Sequence, residues 1–208
     1  MLNGKTVGII ADSHGRPHTI KNAIDFLKNY GCCNIYHLGD ICDSFLPETS
    51  GTCVRLLHEN GVAAVKGNND HAIVINHGNQ AEVVVSQRTL DYLQNLPPTA
   101  EYEGAVFTHS LPFVQELGLS SMIGVMRKEW AKRFFLKFPQ RILFRGHGHN
   151  PEIVWQQNNR IISETISPGQ QVDLAERLPC VVTCGALTQG LCMVWKPNEN
   201  VLICDSFI

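Results

Sequence analysis

The sequence predicts an α/β fold, with a parallel sheet in its first third and mostly antiparallel pairing in its second half. Two observations carry this. Over the first 70 residues apolar runs alternate with helix-spaced segments, the pattern of strands joined by crossover helices. Beyond Pro151 the texture changes to short β-like runs, several joined by turn residues. At 208 residues the chain is long enough to bury a large core and reads as one domain, residues 1–208.

Residues 6–11 (TVGIIA) form a continuous apolar run, read as a buried strand ending at Asp12-Ser13-His14-Gly15. Pro17 opens a helix whose Ile20, Ala23, Ile24 and Leu27 share one face, and Gly31 stops it. A second strand, 35–38, ends at Gly39-Asp40-Ile41-Cys42-Asp43. A helix over 52–60 is closed by Gly61. The third strand, 62–65, runs into Gly67-Asn68-Asn69-Asp70-His71. Residues 71–100 carry one further helix at 86–96, stopped by Pro97-Pro98. A strand at 105–107 ends in Thr108-His109-Ser110, a long helical pattern spans 120–138, and a strand at 141–144 delivers Arg145-Gly146-His147-Gly148-His149. In that last stretch Gly146 and Gly148 are expected to let the backbone turn tightly and bring both imidazoles to one small object. Gln157-Asn158-Asn159 and 196–200 read as hairpin turns.

The composition, 44% hydrophobic and 17% charged, belongs to a soluble globular protein, and the net charge of -2 argues against a chain whose main task is gripping nucleic acid. The 17 basic residues are scattered, with one local cluster at Arg127-Lys128 and Lys132-Arg133. No run is long enough to span a bilayer, and residues 1–5 lead into the first strand without a signal peptide. The eight cysteines form no C-x-x-C pair and read as buried free thiols of a cytoplasmic protein.

Five apolar runs end within a residue or two of Asp, His or Asn, namely Asp12 with His14, Asp40, Asn68, His109, and His147 with His149. Each has a bland reading as a helix cap, a turn residue or a core histidine. Ligands of open α/β sheets gather at the carboxyl ends of strands, so all five endings are expected on one rim. Together they are a set of metal-ligand type.

The motifs D-x-H (Asp12, His14), G-D-x-x-D (Gly39, Asp40, Asp43), G-N-x-D (Gly67, Asn68, Asp70), a lone His109 and G-H-x-H (Gly146, His147, His149) resemble those of the calcineurin-like metallophosphoesterases. The order and spacing match from residue 12 to 149, and the small bacterial and archaeal phosphodiesterases are the most similar branch. The resemblance implies a four-layer α/β/β/α sandwich of two mixed sheets flanked by helices. It implies two divalent metal ions, the first on Asp12, His14, Asp40 and His149, the second on Asp40, Asn68, His109 and His147. Asp40 would bridge. Two such ions at ~3.5–4 Å repel by about 18 kcal/mol at an effective dielectric of about 20, hence the need for a shared carboxylate and a bridging hydroxide. Mn²⁺ suits the mixture of hard oxygens and imidazoles, with Fe and Zn as alternatives.

The implied activity is phosphoester hydrolysis by in-line attack of the bridging hydroxide on phosphorus, with a phosphodiester placed ahead of a monoester. Asp43 and Asp70 are read as carboxylates orienting the ligating imidazoles, and Arg16 and Asn69 as contacts to the substrate phosphate. Many family members carry an imidazole at the position of Asn69 as the general acid, and His71 is the nearby substitute. Gly148 stands where Thr is common, and Thr183-Cys184-Gly185-Ala186 where small members often read N-P-G-S. Segment 163–177 before it is unusual for the family and is expected to cover the site or an oligomer contact. The expected partner is a small phosphorylated substrate, a nucleotide among them, with no membrane and no nucleic acid; a homo-oligomer stays open. Rival readings are a nuclease or nucleotide polyphosphate hydrolase on the same site, and a non-enzymatic binding scaffold of the same fold.

Overall fold

A computed structural model describes residues 5–78 and 84–208. The leading residues 1–4, which entered the signal-peptide reading, lie outside the described part, as do residues 79–83. The N-terminal alternation is β1 (Val7–Ile10), α1 (Pro17–Tyr30), β2 (Asn34–His37), α2 (Ser50–Glu59) and β3 (Ala63–Ala64), the three strands pairing in parallel. Helix α1 forms as its spacing dictates: Pro17 supplies a preset first turn, Ile20, Ala23, Ile24 and Leu27 are buried, and Gly31 ends the helix. There follow α3 (Asn68–His77), α4 (Gln87–Asn95), β4 (Thr99–Tyr102), β5 (Ala105–Thr108), α5 (Val114–Leu117), α6 (Lys128–Lys137) and β6 (Ile142–Arg145). The remainder is β7 (Glu152–Gln157), β8 (Arg160–Thr165), β9 (Gln171–Asp173), β10 (Cys180–Thr183), β11 (Leu191–Lys196) and β12 (Val201–Ser206).

The strands form two mixed sheets, ordered β3-β2-β1-β11-β12-β9 and β4-β5-β6-β10-β7-β8. Three apolar clusters separate four layers. Val7, Ile9, Phe107, Phe144 and Trp195 fill the space between the sheets. Ile10, Ile20, Leu27, Leu57 and Val194 join the first sheet to α1 and α2. Val106, Phe134, Leu143 and Val181 join the second sheet to α6. The pleat explains the division, because Ile9 and Ile10 are neighbours on β1 and face opposite layers. Tyr36, Phe107 and Phe144 stack across the central layer at centroid distances of 4.3 and 5.5 Å. Each large side chain buried there contributes about 1.5–3 kcal/mol. The architecture is the expected α/β/β/α sandwich.

Three local expectations are corrected. The pattern over 120–138 is not one helix: a 3₁₀ turn (Gly118–Met122) and α6 are separated by an irregular stretch. There the backbone bonds to the β5 exit, Leu111 N–H to Ser121 O at 2.8 Å and Ser110 Oγ to Gly124 O, so helical pairing is replaced by tertiary pairing. Helix α3 was not foreseen; its sequence signal is Asp70 at the third helical position, accepting the Gly67 N–H at 2.9 Å. Among the thiols, all eight are free, but Cys33 is exposed at the turn into β2. The second half is antiparallel except for β10, which runs parallel to β6. Segment 163–177 leaves the β8 edge of one sheet and reaches the other as β9, paired with β12. No helix among the described residues is long and apolar enough to cross a membrane.

Candidate metal centre

The parallel pairs β1–β2 and β5–β6 deliver their carboxyl ends to one rim, where loops from both sheets are stitched by backbone bonds. His14 N–H donates to Asp40 O at 3.0 Å, Asp12 N–H to Gly39 O at 3.1 Å, and Gly146 N–H to His109 O at 3.0 Å. The two sheets meet through the Asp12 carboxylate, which accepts the His147 N–H at 3.1 and 3.0 Å. Such close approach needs small residues. A β-carbon on Gly67 would collide with the Asp40 backbone and carboxylate, and one on Gly39 would reach the Gly67 nitrogen at 2.6 Å.

Nine described residues other than glycine have positive φ. Four of them, Glu103, Asn158, Asn159 and Asn200, sit in hairpin turns. The other five are Asp12 (55°), His14 (44°), Asp40 (54°), His147 (63°) and His149 (58°). A left-handed L-residue costs about 1–3 kcal/mol and persists where the surroundings over-determine it, typically at a functional site. This also corrects the expected role of Gly146 and Gly148. Neither has positive φ; the histidines take the strain, at the centres of two successive three-residue turns closed by Gly148 N–H to Gly146 O and Asn150 N–H to Gly148 O, both 2.7 Å. Gly146 is small because Asp12 Oδ2 lies 2.9 Å from where its β-carbon would be.

The donor atoms converge. His14 Nε2 and His149 Nε2 are 3.2 Å apart, His147 Nδ1 and His109 Nε2 are 3.2 Å apart, and His109 Nε2 lies 3.0 Å from Asn68 Oδ1. Donors about 2.1 Å from one octahedral ion are about 3 Å from each other, so these spacings fit. The donors of Asp12, His14 and His149, and those of Asp12, Asp40 and His109, each fall within 4.8 Å of one another. Asp40 faces both groups: its Oδ2 is 3.9 Å from His14 Nε2 and its Oδ1 3.5 Å from His109 Nε2.

The protonation pattern calls for a cation. His109 Nδ1 is 2.8 Å from Leu38 O, which can only accept, so Nδ1 carries the ring hydrogen. Burial holds the ring neutral, with a pKa of about 4. Its Nε2 lone pair therefore points at the oxygens of Asn68 and Asp40 with no proton between them. Burial first, and then the neighbouring Asp40, push the Asp12 carboxyl well above the carboxylate range, and burial lowers the pKa of His147 and His149. Two buried carboxylates beside the neutral ring of His109 and the rings of His147 and His149, whose pKa is lowered, fit divalent cations.

The surrounding residues are placed as follows. Asp70 is fully buried, its pKa raised to about 7 by burial and then by Asp40, and it accepts N–H groups of Cys42 at 3.0 Å and Gly67 at 2.9 Å. It thus fastens the Asp40 loop to the Gly67 turn. Asp43 accepts the Phe45 N–H at 2.8 Å, within its own turn. Asn69 donates its backbone N–H and its amide to the two Asp40 oxygens, both at 2.8 Å, while its own oxygen accepts the Ser44 hydroxyl at 3.0 Å. Arg16 is exposed at the start of α1 and makes no ion pair among the described residues, and His71 is half-buried on α3.

Two supporting residues, His37 and Ser13, were not read from the sequence. The Ser13 hydroxyl lies 3.0 Å from Ile41 O and so donates there, leaving its lone pair for His37 Nε2–H at 2.9 Å. The pair braces Ser13, between Asp12 and His14, against the Asp40 loop. His37 is buried with a pKa lowered by burial to about 3. The unfolded state then takes up a proton below pH ~6.5 that the folded state refuses, so stability contributed by this residue is lost as pH falls through that window. Between pH 7 and 5.5 the loss is about 1 kcal/mol. Urea unfolding of chelator-treated protein at both pH values checks it: His37→Gln should lose about 1 kcal/mol less than wild type over this interval. Equal losses would mean His37 is not held neutral.

Comparison with known proteins agrees with this geometry. The calcineurin-like phosphoesterase superfamily domain matches residues 6–186. No curated protein matches the chain by sequence. Among solved structures, a metallophosphoesterase from Sphaerobacter thermophilus is 20% identical with a TM-score of 0.75, the match covering 98% of this chain and 88% of that one. TT1561 of Thermus thermophilus is 10% identical with a TM-score of 0.53, covering 99% and 100% of the two chains. A cold-active protein-tyrosine phosphatase of a psychrophilic Shewanella is 11% identical with a TM-score of 0.56, covering 99% and 78%. At these identities the structural likeness is one of fold. The domain match is a likeness of sequence, and it takes in every rim loop from Asp12 to His149; the chain belongs to the calcineurin-like phosphoesterase superfamily.

Proposed function

We propose that this chain is a dimetal phosphodiesterase in which Asp12, His14, Asp40 and His149 hold one divalent ion and Asp40, Asn68, His109 and His147 a second. One observation carries the reading: the two oxygens of Asp40 face separate donor groups, Oδ2 toward His14 and Oδ1 toward His109. When bound, such ions supply Lewis acidity that neutralises charge on the phosphoryl oxygens. The chain's own residues hold and aim the substrate. Arg16, exposed beside His14, offers a guanidinium to a phosphate oxygen. The strained rim loops hold the donors before substrate arrives, so no reorganisation accompanies charge development.

Asn69 cannot supply a proton, and its amide is engaged by Asp40 and Ser44. Its role in this reading is to fix the bridging carboxylate. General-acid help is typically worth about 10²–10⁴-fold and matters most for poor leaving groups. The enzyme is therefore expected to favour diesters with one acidic leaving group, such as aryl esters and phosphoanhydride links. The test is a leaving-group series of phosphodiesters on wild type, Asn69→His and His71→Ala, with matched monoesters. Wild type should depend steeply on leaving-group pKa. A flat series with chemistry rate-limiting would reject the missing acid, and steepening on His71→Ala would name the donor. Faster hydrolysis of the monoesters than of the diesters would reverse the substrate assignment.

A further inference from the structure

On the His147 side of the rim lies a cavity of about 450 Å³. Arg145, His147, Thr183, Val125, Met126 and Glu152 are among the residues that line it. Arg145 is the last residue of β6 and is only 4% exposed. Its Nε donates to Ser110 O at 3.0 Å, Nη2 to Ser110 Oγ at 3.1 Å and Nη1 to Thr183 Oγ1 at 3.1 Å. All three acceptors are neutral; the carboxylates of Asp12 and Glu152 act on the guanidinium through space without a hydrogen bond to it. Two of its five N–H groups have no acceptor in this set. A buried guanidinium that is paired directly with no carboxylate and keeps free N–H groups is a site for an anion that arrives later, with Asp12 and Glu152 acting on it only from beyond ion-pair distance. Because Ser110 also bonds to Gly124, the guanidinium is tied to the loop that carries Val125 and Met126.

Gly148 explains how the guanidinium meets the cavity. A β-carbon there would lie 2.8 Å from Thr183 Cγ2 and 3.3 Å from Arg145 Nη1, while its φ lies outside the left-handed range. Space, not backbone conformation, is what requires glycine. The missing side chain leaves the edge of the guanidinium uncovered.

We propose that this cavity is a subsite for a second phosphate of the substrate, with Arg145 as its cationic floor and Gly148 as its opening. The proposal rests on the phosphoesterase reading above and narrows it: the reacting phosphorus sits over the rim, and a further phosphate of the same molecule reaches Arg145. Val125 and Met126 cover the uncharged part between them, while Glu152, whose carboxylate already accepts the Ser163 hydroxyl, lies away from the phosphate.

The experiment compares two substrates with one leaving group, the p-nitrophenyl ester of thymidine 5′-phosphate with and without a 3′-phosphate, on Mn²⁺-loaded wild type, Arg145→Gln and Gly148→Thr. In parallel, calorimetry compares binding of thymidine 3′,5′-bisphosphate and thymidine 5′-phosphate to the same proteins. Wild type should prefer the extra phosphate by about tenfold or more in kcat/KM, through KM, and in affinity. Both variants should bring the ratio near one. Gly148→Thr keeps the guanidinium and its grip on Ser110, so loss of preference in both variants separates anion binding from a structural role. No preference in wild type, or a preference that survives both variants, overturns the subsite. If neither ester is hydrolysed while the binding preference appears and is lost in both variants, the subsite stands and the phosphoesterase reading falls.

Discussion

Treatment with a chelator should cut hydrolysis of an aryl phosphodiester by roughly 10³-fold or more, because metal ions contribute several kcal/mol of charge stabilisation at phosphorus. Mn²⁺ should restore it best, since the converging donors are carboxylate and amide oxygens and imidazoles with no thiolate among them. A stability readout should move in parallel. Two buried carboxylates, one already driven up in pKa by burial and by the other, make the metal-free rim electrostatically unfavourable. Added Mn²⁺ should therefore stabilise the folded state by about 2.7 kcal/mol per site at a hundred times the Kd, and the thermal midpoint should rise accordingly. Full activity in protein shown by elemental analysis to be free of metal would sink the mechanism.

Substitution of Asp40 should have the largest effect of any donor. In Asp40→Ala both ions should be lost and diester hydrolysis should fall by at least about 10³-fold, whereas Asn68→Ala should lose mainly one ion. The reason is positional: each Asp40 oxygen faces a different donor group, and both are held by Asn69, at 2.8 Å. Asp40→Asn separates charge from shape. In chelator it removes the carboxylate that repels both Asp12 and Asp70 and should cost little stability, but the rise in thermal midpoint on adding Mn²⁺ should disappear. Metal content per chain and the midpoint shift are the measurements, and two ions retained by Asp40→Ala would show that the carboxylate does not bridge.

The sequence by itself determined which side chains stand at the strand exits. That information is local: an apolar run long enough to be buried, then a turn, then Asp, Asn or His, repeated from Asp12 to His149. The helix from Pro17 and the hairpins at Asn158-Asn159 and Asn200 were legible for the same reason, because caps and turn residues act on their own backbone. What required the fold was everything decided by a partner far along the chain. The break in 120–138 comes from Ser110 and Leu111 taking its backbone groups. Asn69 is engaged by Asp40 and Ser44, a commitment that no spacing rule contains. Glycines 146 and 148, read as turn-makers, are small because Asp12, Thr183 and Arg145 lie against them, and the strained backbone falls on the histidines instead. Arg145 stands just before the G-H-x-H motif, yet the role proposed for it depends on Ser110 and Thr183, which β5 and β10 bring to it only when the second sheet forms, and on the side chain missing at Gly148. Backbone propensity and burial pattern act over a few residues, whereas charge compensation and close packing act through space.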